Sequence, residues 1–163
     1  VVMTISEYNS CVDEYADNLY RFMLKQTGDS PSAKDLVQES YLKLWQKHEN
    51  VDYKKAKSYL FTTGYNKMID NYRKNSRQEL MQESHVKSHM HSEQYSDLSE
   101  VLEQALNILP EIQKTVIILR DYEGYSYNEI GEITNLKASQ VKVYIYRGRL
   151  KLKEYLVSVE HVL

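Results

Sequence analysis

The chain has 163 residues, 42% hydrophobic and 27% charged, close to the averages of soluble globular proteins, which excludes collagen-like, mucin-like and wholly disordered classes. At about 150 residues per domain it holds one domain or two small ones. The formal net charge is −2, and the lone cysteine, Cys11, excludes an internal disulfide and a cysteine-based zinc site and fits a reducing compartment. No stretch approaches the roughly 18 consecutive apolar residues of a membrane helix, and no apolar run near the start has the pattern of a signal peptide. The expectation is a cytoplasmic protein with no membrane insertion. Five glycines and two prolines leave few breakers, so long helices are expected.

The first predicted helix carries Ile5, Tyr8, Val12, Tyr15, Leu19 and Phe22 at alternating steps of three and four, an amphipathic stripe. Thr4 with Glu7 reads as a capping box at its start. The GDSP run at 28–31 breaks the chain, and Pro31 suits a first helical turn. A second helix then runs to His48 and buries Leu36, Val37, Tyr41, Leu44 and Trp45. Residues 49–55 are polar and read as a loop. A third helix, residues 57–75, packs through Tyr59, Leu60, Thr63, Met68, Ile69 and Tyr72.

Between residues 76 and 97 the large apolar residues thin to Leu80, Met81, Val86, Met90 and Tyr95. That is too little burial to offset chain entropy, and a flexible linker is predicted. Periodicity returns at Leu98, Leu102, Ala105, Leu106 and Leu109. Pro110 opens a helix that reaches Tyr122 and is closed by Glu123 and Gly124. Ser126 and Glu129 form a second capping box, ahead of a short helix with Ile130 and Ile133 inward. Asn135 and Leu136 make a tight turn, and a last long helix spans residues 138–156. Fixed-period repeats and alternating strand patterns are absent. The expected fold is all-α: two small helical domains, 1–75 and 98–163, joined by a flexible linker at 76–97, the C-terminal one a helix-turn-helix.

Counting charge by segment changes what the near-neutral total suggests. Residues 43–77 carry nine Lys/Arg against three Asp/Glu, and residues 137–163 carry six against two. The flanking residues 1–42 carry three against seven, and 78–103 one against six. Two basic blocks in acidic surroundings mark where an anionic partner docks, because surface fields decay within about 8 Å in physiological salt. A single such block is ordinarily a solvated helix face; two, each ending a helical module, point to nucleic acid.

The last helix divides into two faces. Val141, Ile145, Gly148 and Leu152 fall on the inward side, where Gly148 suits a close helix crossing. Ser139, Lys142, Val143, Tyr146 and Arg147 fall on the other. In a major groove, Lys142 and Arg147 would donate to guanine or phosphate, while Val143 and Tyr146 would meet thymine methyls. Arg149, Lys151 and Lys153 add backbone contacts. Complementing the helix dipole explains Lys151 and Lys153, but not Lys142, Arg147 and Arg149 further up the helix.

The segments LNILPEIQKTVIIL at 106–119 and EGYSYNEI at 123–130 resemble the fourth region of bacterial RNA polymerase sigma factors, where they precede the helix that reads the promoter −35 element. DLVQESYLKLW at 35–45 and SYLFTTGYNKMIDNYR at 58–73 are similar to the second region, comprising the core-binding helix and the helix that engages the −10 element. Two modules in the right order, without a third domain, resemble the small extracytoplasmic-function (ECF) class. Departures are Tyr59 for the usual Trp, Gly131 for the usual Ala, and KASQV at 137–141 in place of a Ser-capped start to the recognition helix. Loss of that cap costs about 1 kcal/mol unless Ser139 or a neighbour substitutes.

The resemblance implies a role for each group of residues. Asp35, Gln38, Glu39, Leu42 and Gln46 would dock on the clamp of the polymerase's largest subunit, with the flap of the second-largest subunit as a further contact. Tyr53, in the loop that receives a flipped-out base, joins Lys54, Lys55, Lys57, Asn66, Lys67, Asp70, Arg73 and Lys74 at the −10 DNA, with Arg77 adding a phosphate contact. Ser139, Lys142, Val143, Tyr146, Arg147 and Arg149 would meet the −35 duplex. Promoter DNA and core polymerase are the implied partners, and an anti-sigma protein is a further candidate. Without the resemblance, the acidic face of the second helix reads as solvated, and Asp70 with Arg73 as an i,i+3 ion pair. His85, His89 and His91 have one zinc-compatible spacing but no cysteine or suitable carboxylate beside them. No cofactor, metal or catalytic constellation is expected. The rival readings are a stand-alone helix-turn-helix regulator and a helical scaffold with incidental charge.

Overall fold

The computed structural model describes residues 2–81 and 97–162. All regular structure in them is helical, in two compact units, Val1–His89 and Met90–Leu163.

In the first unit, α1 (Ile5–Thr27), α2 (Ser30–Gln46) and α3 (Ala56–Met81) pack as a three-helix bundle. Thr4 and Glu7 form the expected reciprocal cap at the start of α1. At its end Gly28 takes φ +68°, the left-handed conformation only glycine adopts freely. One residue later the Asp29 carboxylate accepts from the Ser32 N–H at 3.2 Å, so α2 starts with a cap and with Pro31 in its first turn.

The core joins Cys11, Leu19, Phe22 and Met23 to Ala33, Leu36, Tyr41 and Leu44, and to Ala56, Leu60, Phe61 and Met68. Phe22 and Phe61 rings meet at 5.4 Å. The buried Tyr41 hydroxyl donates to the Cys11 carbonyl at 2.7 Å, and burial raises that phenol well above its ordinary range. A Cβ on Gly64 would stand 2.9 Å from Met23 Cε and 3.0 Å from Ser40 Oγ, so this glycine lets the three helices close.

Several side chains expected inside are not. Ile5 and Val12 are exposed, because the buried stripe of α1 centres on Cys11, Leu19, Phe22 and Met23. Trp45 is 40% exposed: the stripe Ala33, Leu36, Ser40 and Leu44 leaves it one residue off the core, stacked on His48 at 4.6 Å and edge-on to Tyr8. Tyr72 is exposed because α3 outlasts its partners. At 26 residues against the 17 of α2, it is longer by about 13 Å at 1.5 Å per residue. Residues 76–81, expected as linker, are its last turns. The rest of that stretch, with His85, His89 and His91, lies outside the described residues.

The second unit holds α4 (Asp97–Asn107), α5 (Glu111–Ile117), α6 (Tyr127–Thr134) and α7 (Ala138–Val162). Leu98 is exposed, and α4 packs through Ala105 and Leu106. Val116, Ile117, Ile118 and Leu119 are buried as a continuous run. The helix expected from Pro110 to Tyr122 changes pitch: residues Ile118–Tyr122 form a π turn, with Glu123 N–H donating to the Ile118 carbonyl at 3.1 Å. Gly148 carries out its expected role, since a Cβ there would lie 2.3 Å from Ile117 Cδ1 where α7 crosses α5.

Candidate nucleic-acid interface

The C-terminal interface begins with local capping. Ser126 and Glu129 bond reciprocally across the first turn of α6. Asn135 then takes φ +59°, a left-handed position that asparagine tolerates, and the Leu136 N–H returns to the Gly131 carbonyl at 3.0 Å. This turn is so close that a Cβ on Gly131 would sit 2.5 Å from the Leu136 carbonyl oxygen, which accounts for glycine at this position. Gln140 supplies the other half of a capping box, its side-chain oxygen accepting from the Lys137 N–H at 2.9 Å, a different donor from the one a serine at 137 would take. The result is α6, a three-residue turn and α7, a helix-turn-helix.

On α7, Val141, Ile145 and Gly148 are buried, and Leu152 is half-buried. Ser139, Lys142, Val143, Tyr146, Arg147 and Arg149 are exposed. Arg149 differs from the others: it is bonded to Asp121 of the π turn, and that bond holds its guanidinium above the ordinary value. Tyr127, part of the EGYSYNEI motif but given no DNA-facing role in the sequence, lies beneath two cations, with Arg120 Cζ 4.5 Å and Lys142 Nζ 5.4 Å from its ring centroid. Arg120 also donates to the Tyr125 carbonyl at 2.8 Å. Neither relation has a signal in spacing, since the partners are separated by the π turn, by α6 or by both.

In the N-terminal unit, Asp35, Gln38, Glu39, Leu42 and Gln46 are all exposed on one side of α2. Tyr53 opens a short 3-10 turn, Tyr53–Lys55, capped by Asp52, whose carboxylate accepts from the Lys54 N–H at 3.1 Å. The Glu14 carboxylate hydrogen-bonds both Tyr53 and Tyr15. Burial and that bond push the Tyr15 phenol up to about 12. Lys54 and Lys55 are exposed, and Lys57 is half-buried.

Along α3, Asn66, Asp70, Arg73, Lys74 and Arg77 are exposed. Among the described residues no ion pair joins Asp70 to Arg73. Lys67 instead reaches Glu39 of α2 at 3.8 Å, linking two residues expected to serve different partners. A cleft of about 370 Å³ lies between α2 and α3, lined by Lys43, Gln46, Lys47, Tyr59, Thr63 and Asn66. Lys43 and Lys47 belong to the basic block 43–77, but the sequence assigns them no partner of their own, since the family resemblance of their helix points to its oppositely charged residues Asp35 and Glu39. Among the described residues, no group of three or more His, Cys, Asp or Glu could hold a metal ion, and no helix is long and apolar enough to cross a membrane.

Family models agree with this division. Sigma-70 region 2 matches residues 11–78, and sigma-70 region 4 matches residues 99–152. The RNA polymerase sigma factor SigV of Bacillus subtilis (strain 168) is 30% identical over 152 residues, covering 93% of this chain and 91% of SigV. This chain belongs to the RNA polymerase sigma factors, in the extracytoplasmic-function (ECF) group. The ECF sigma factor SigM of the same organism is 28% identical over 156 residues, covering 93% of the chain and 94% of SigM. Among solved structures, the sigma factor RpoE of Bartonella quintana, in complex with the anti-sigma factor NepR, has a TM-score of 0.79 at 26% identity, covering 93% of this chain and 98% of that one. CnrH, in complex with the cytosolic domain of CnrY, shares the fold with a TM-score of 0.70 at 22% identity, covering 93% and 88% of the two chains. As a sigma factor the protein directs promoter-specific transcription initiation. Matches to both modules do not favour the reading as a stand-alone regulator.

Proposed function

We propose a division of labour between the two units. Asp35, Gln38, Glu39, Leu42 and Gln46 on α2 dock on the clamp of the largest subunit of core polymerase, and the second-largest subunit's flap is a further contact. The 3-10 turn with Tyr53, together with Asn66 and Asp70 of α3, receives unstacked −10 bases. Lys54, Lys55, Lys57, Lys67, Arg73 and Lys74 follow the strand backbone. Capture of unstacked bases offsets the few kcal/mol of unpairing, so opening needs no nucleotide hydrolysis. The protein works as a binding subunit beside the cytoplasmic polymerase, without catalytic residues or a cofactor of its own.

In the second unit, Ser139, Lys142, Val143, Tyr146 and Arg147 face the −35 major groove, and Arg149 lies at its edge. The observation that supports this reading best is the sidedness of α7: Val141, Ile145 and Gly148 are buried while all six proposed DNA-facing residues are exposed. An anti-sigma protein is the proposed inhibitor, by analogy with the complex of RpoE with the anti-sigma factor NepR. The direct test mixes the chain with core polymerase and maps transcript starts on genomic templates. Starts clustered behind a shared −10/−35 pair support the assignment; random starts at the level of core alone reject it.

A further inference from the structure

Lys142 is exposed on α7, and the ammonium of a free lysine samples many rotamers on its four-carbon stem. Here its Nζ lies 5.4 Å from the ring centroid of Tyr127, the first residue of α6. The electron-rich ring face attracts a cation at that range, more weakly in water than in a dry site. The ring belongs to a rigid support. Ser126 and Glu129 cap the helix that carries it, and Arg120, itself bonded to the Tyr125 carbonyl, lies 4.5 Å from the same centroid.

We infer that Tyr127 is a positioning residue for promoter recognition: its ring holds the Lys142 ammonium on the DNA-facing side of α7 before DNA arrives. Ordering a side chain in advance removes part of the entropy lost on binding. The inference rests on the proposed −35 role of Lys142. Tyr127 adds no charge of its own, so its effect is on the placement of a cation and not on how many counterions DNA binding releases.

The test is a double-mutant cycle on holoenzyme binding to a duplex whose −35 element has been enriched from a randomised library by the wild-type holoenzyme. Tyr127→Leu is expected to weaken binding about threefold, the range of an exposed cation–π contact, and to leave the salt dependence unchanged. Tyr127→Phe keeps the ring face and should bind within twofold of wild type. Lys142→Ala weakens binding and lowers the salt slope by about one, and adding Tyr127→Leu to it should change nothing more. If Tyr127→Leu has no effect, or weakens the Lys142→Ala protein as much as the wild type, positioning is refuted and a purely structural tyrosine remains. If Lys142→Ala itself binds normally, the −35 assignment of Lys142 fails first, a distinct result that takes the inference with it.

Discussion

Arg149 grips the carboxylate of Asp121 with two donors, Nε to Oδ2 at 3.1 Å and Nη2 to Oδ1 at 2.5 Å, across 28 residues of sequence. The contact staples α7 to the π turn. It also occupies a guanidinium that otherwise suits a DNA phosphate. Half of the Arg149 side chain remains open to solvent, so the pair is worth at most about 1 kcal/mol to folding.

Removing the carboxylate charge should therefore act on DNA more than on stability. Asp121→Asn is expected to leave thermal unfolding within a few degrees of wild type, while holoenzyme binding to promoter duplex tightens and its salt slope steepens by about one as the freed guanidinium finds a phosphate. Fluorescence anisotropy across a salt series measures both quantities. An unchanged slope would show that Arg149 does not face the backbone.

Arg147 has no such competitor among the contacts described and is exposed on the same helix. Arg147→Ala should cost about 1–3 kcal/mol of discrimination at the −35 element and lower transcription from −35-dependent promoters accordingly. Core binding should stay intact. Run-off transcription and copurification, done on the same preparation, separate the two; equal loss in both assays would place Arg147 elsewhere.

Glycine substitutions should rank by what the added methyl meets. At Gly131 it meets the Leu136 carbonyl oxygen at 2.5 Å, and backbone must move. Gly131→Ala is expected to lose about 1–3 kcal/mol, with loss of −35 reading as the helix-turn-helix opens. At Gly64 the nearest atoms are the Met23 terminal methyl and the Ser40 hydroxyl, which can give way. Gly64→Ala should lose less, since the better helix propensity of alanine returns up to about 1 kcal/mol. Urea denaturation of both variants checks the order.

Alkaline pH should weaken the N-terminal unit. Burial and Glu14 raise the Tyr15 phenol to about 12, and burial raises Tyr8 and Tyr41 as well. Below the ordinary phenol value of about 10, folded and unfolded chains both keep these protons and the stability is complete. Between about 10 and about 12 the unfolded chain ionises first, so stability falls as pH rises through that window. The protein's single tryptophan, Trp45, lies in this unit and reports its unfolding by fluorescence. A midpoint that does not move between pH 9 and pH 11.5 would contradict the burial of these phenols.

The sequence made local structure legible where its determinants lie within four residues. Thr4 with Glu7 and Ser126 with Glu129 mark helix starts by adjacency alone, and Val141, Ile145 and Gly148 reveal a buried face by spacing. Trp45 was misread because an aromatic residue one step off a core stripe can lie flat at its rim, as it does on His48. The π turn left no mark, because one residue of extra winding changes pitch without changing composition. The pairs Arg149 with Asp121 and Lys67 with Glu39 depend on which helices become neighbours, and spacing carries no trace of that. The assignment of polymerase and promoter contacts came from motif resemblance, since an acidic face on α2 alone reads as solvated surface.

The most direct test of the central claim is copurification with core polymerase of three proteins: wild type, the Asp35→Lys/Glu39→Lys double variant and Arg147→Ala. Wild type and Arg147→Ala are expected to elute with core at equal stoichiometry, while the charge-reversed protein elutes alone. Retention of all three on core would displace the docking face from α2. A wild-type chain that never joins core, yet binds a two-fold symmetric duplex unaided, would contradict the account as a whole.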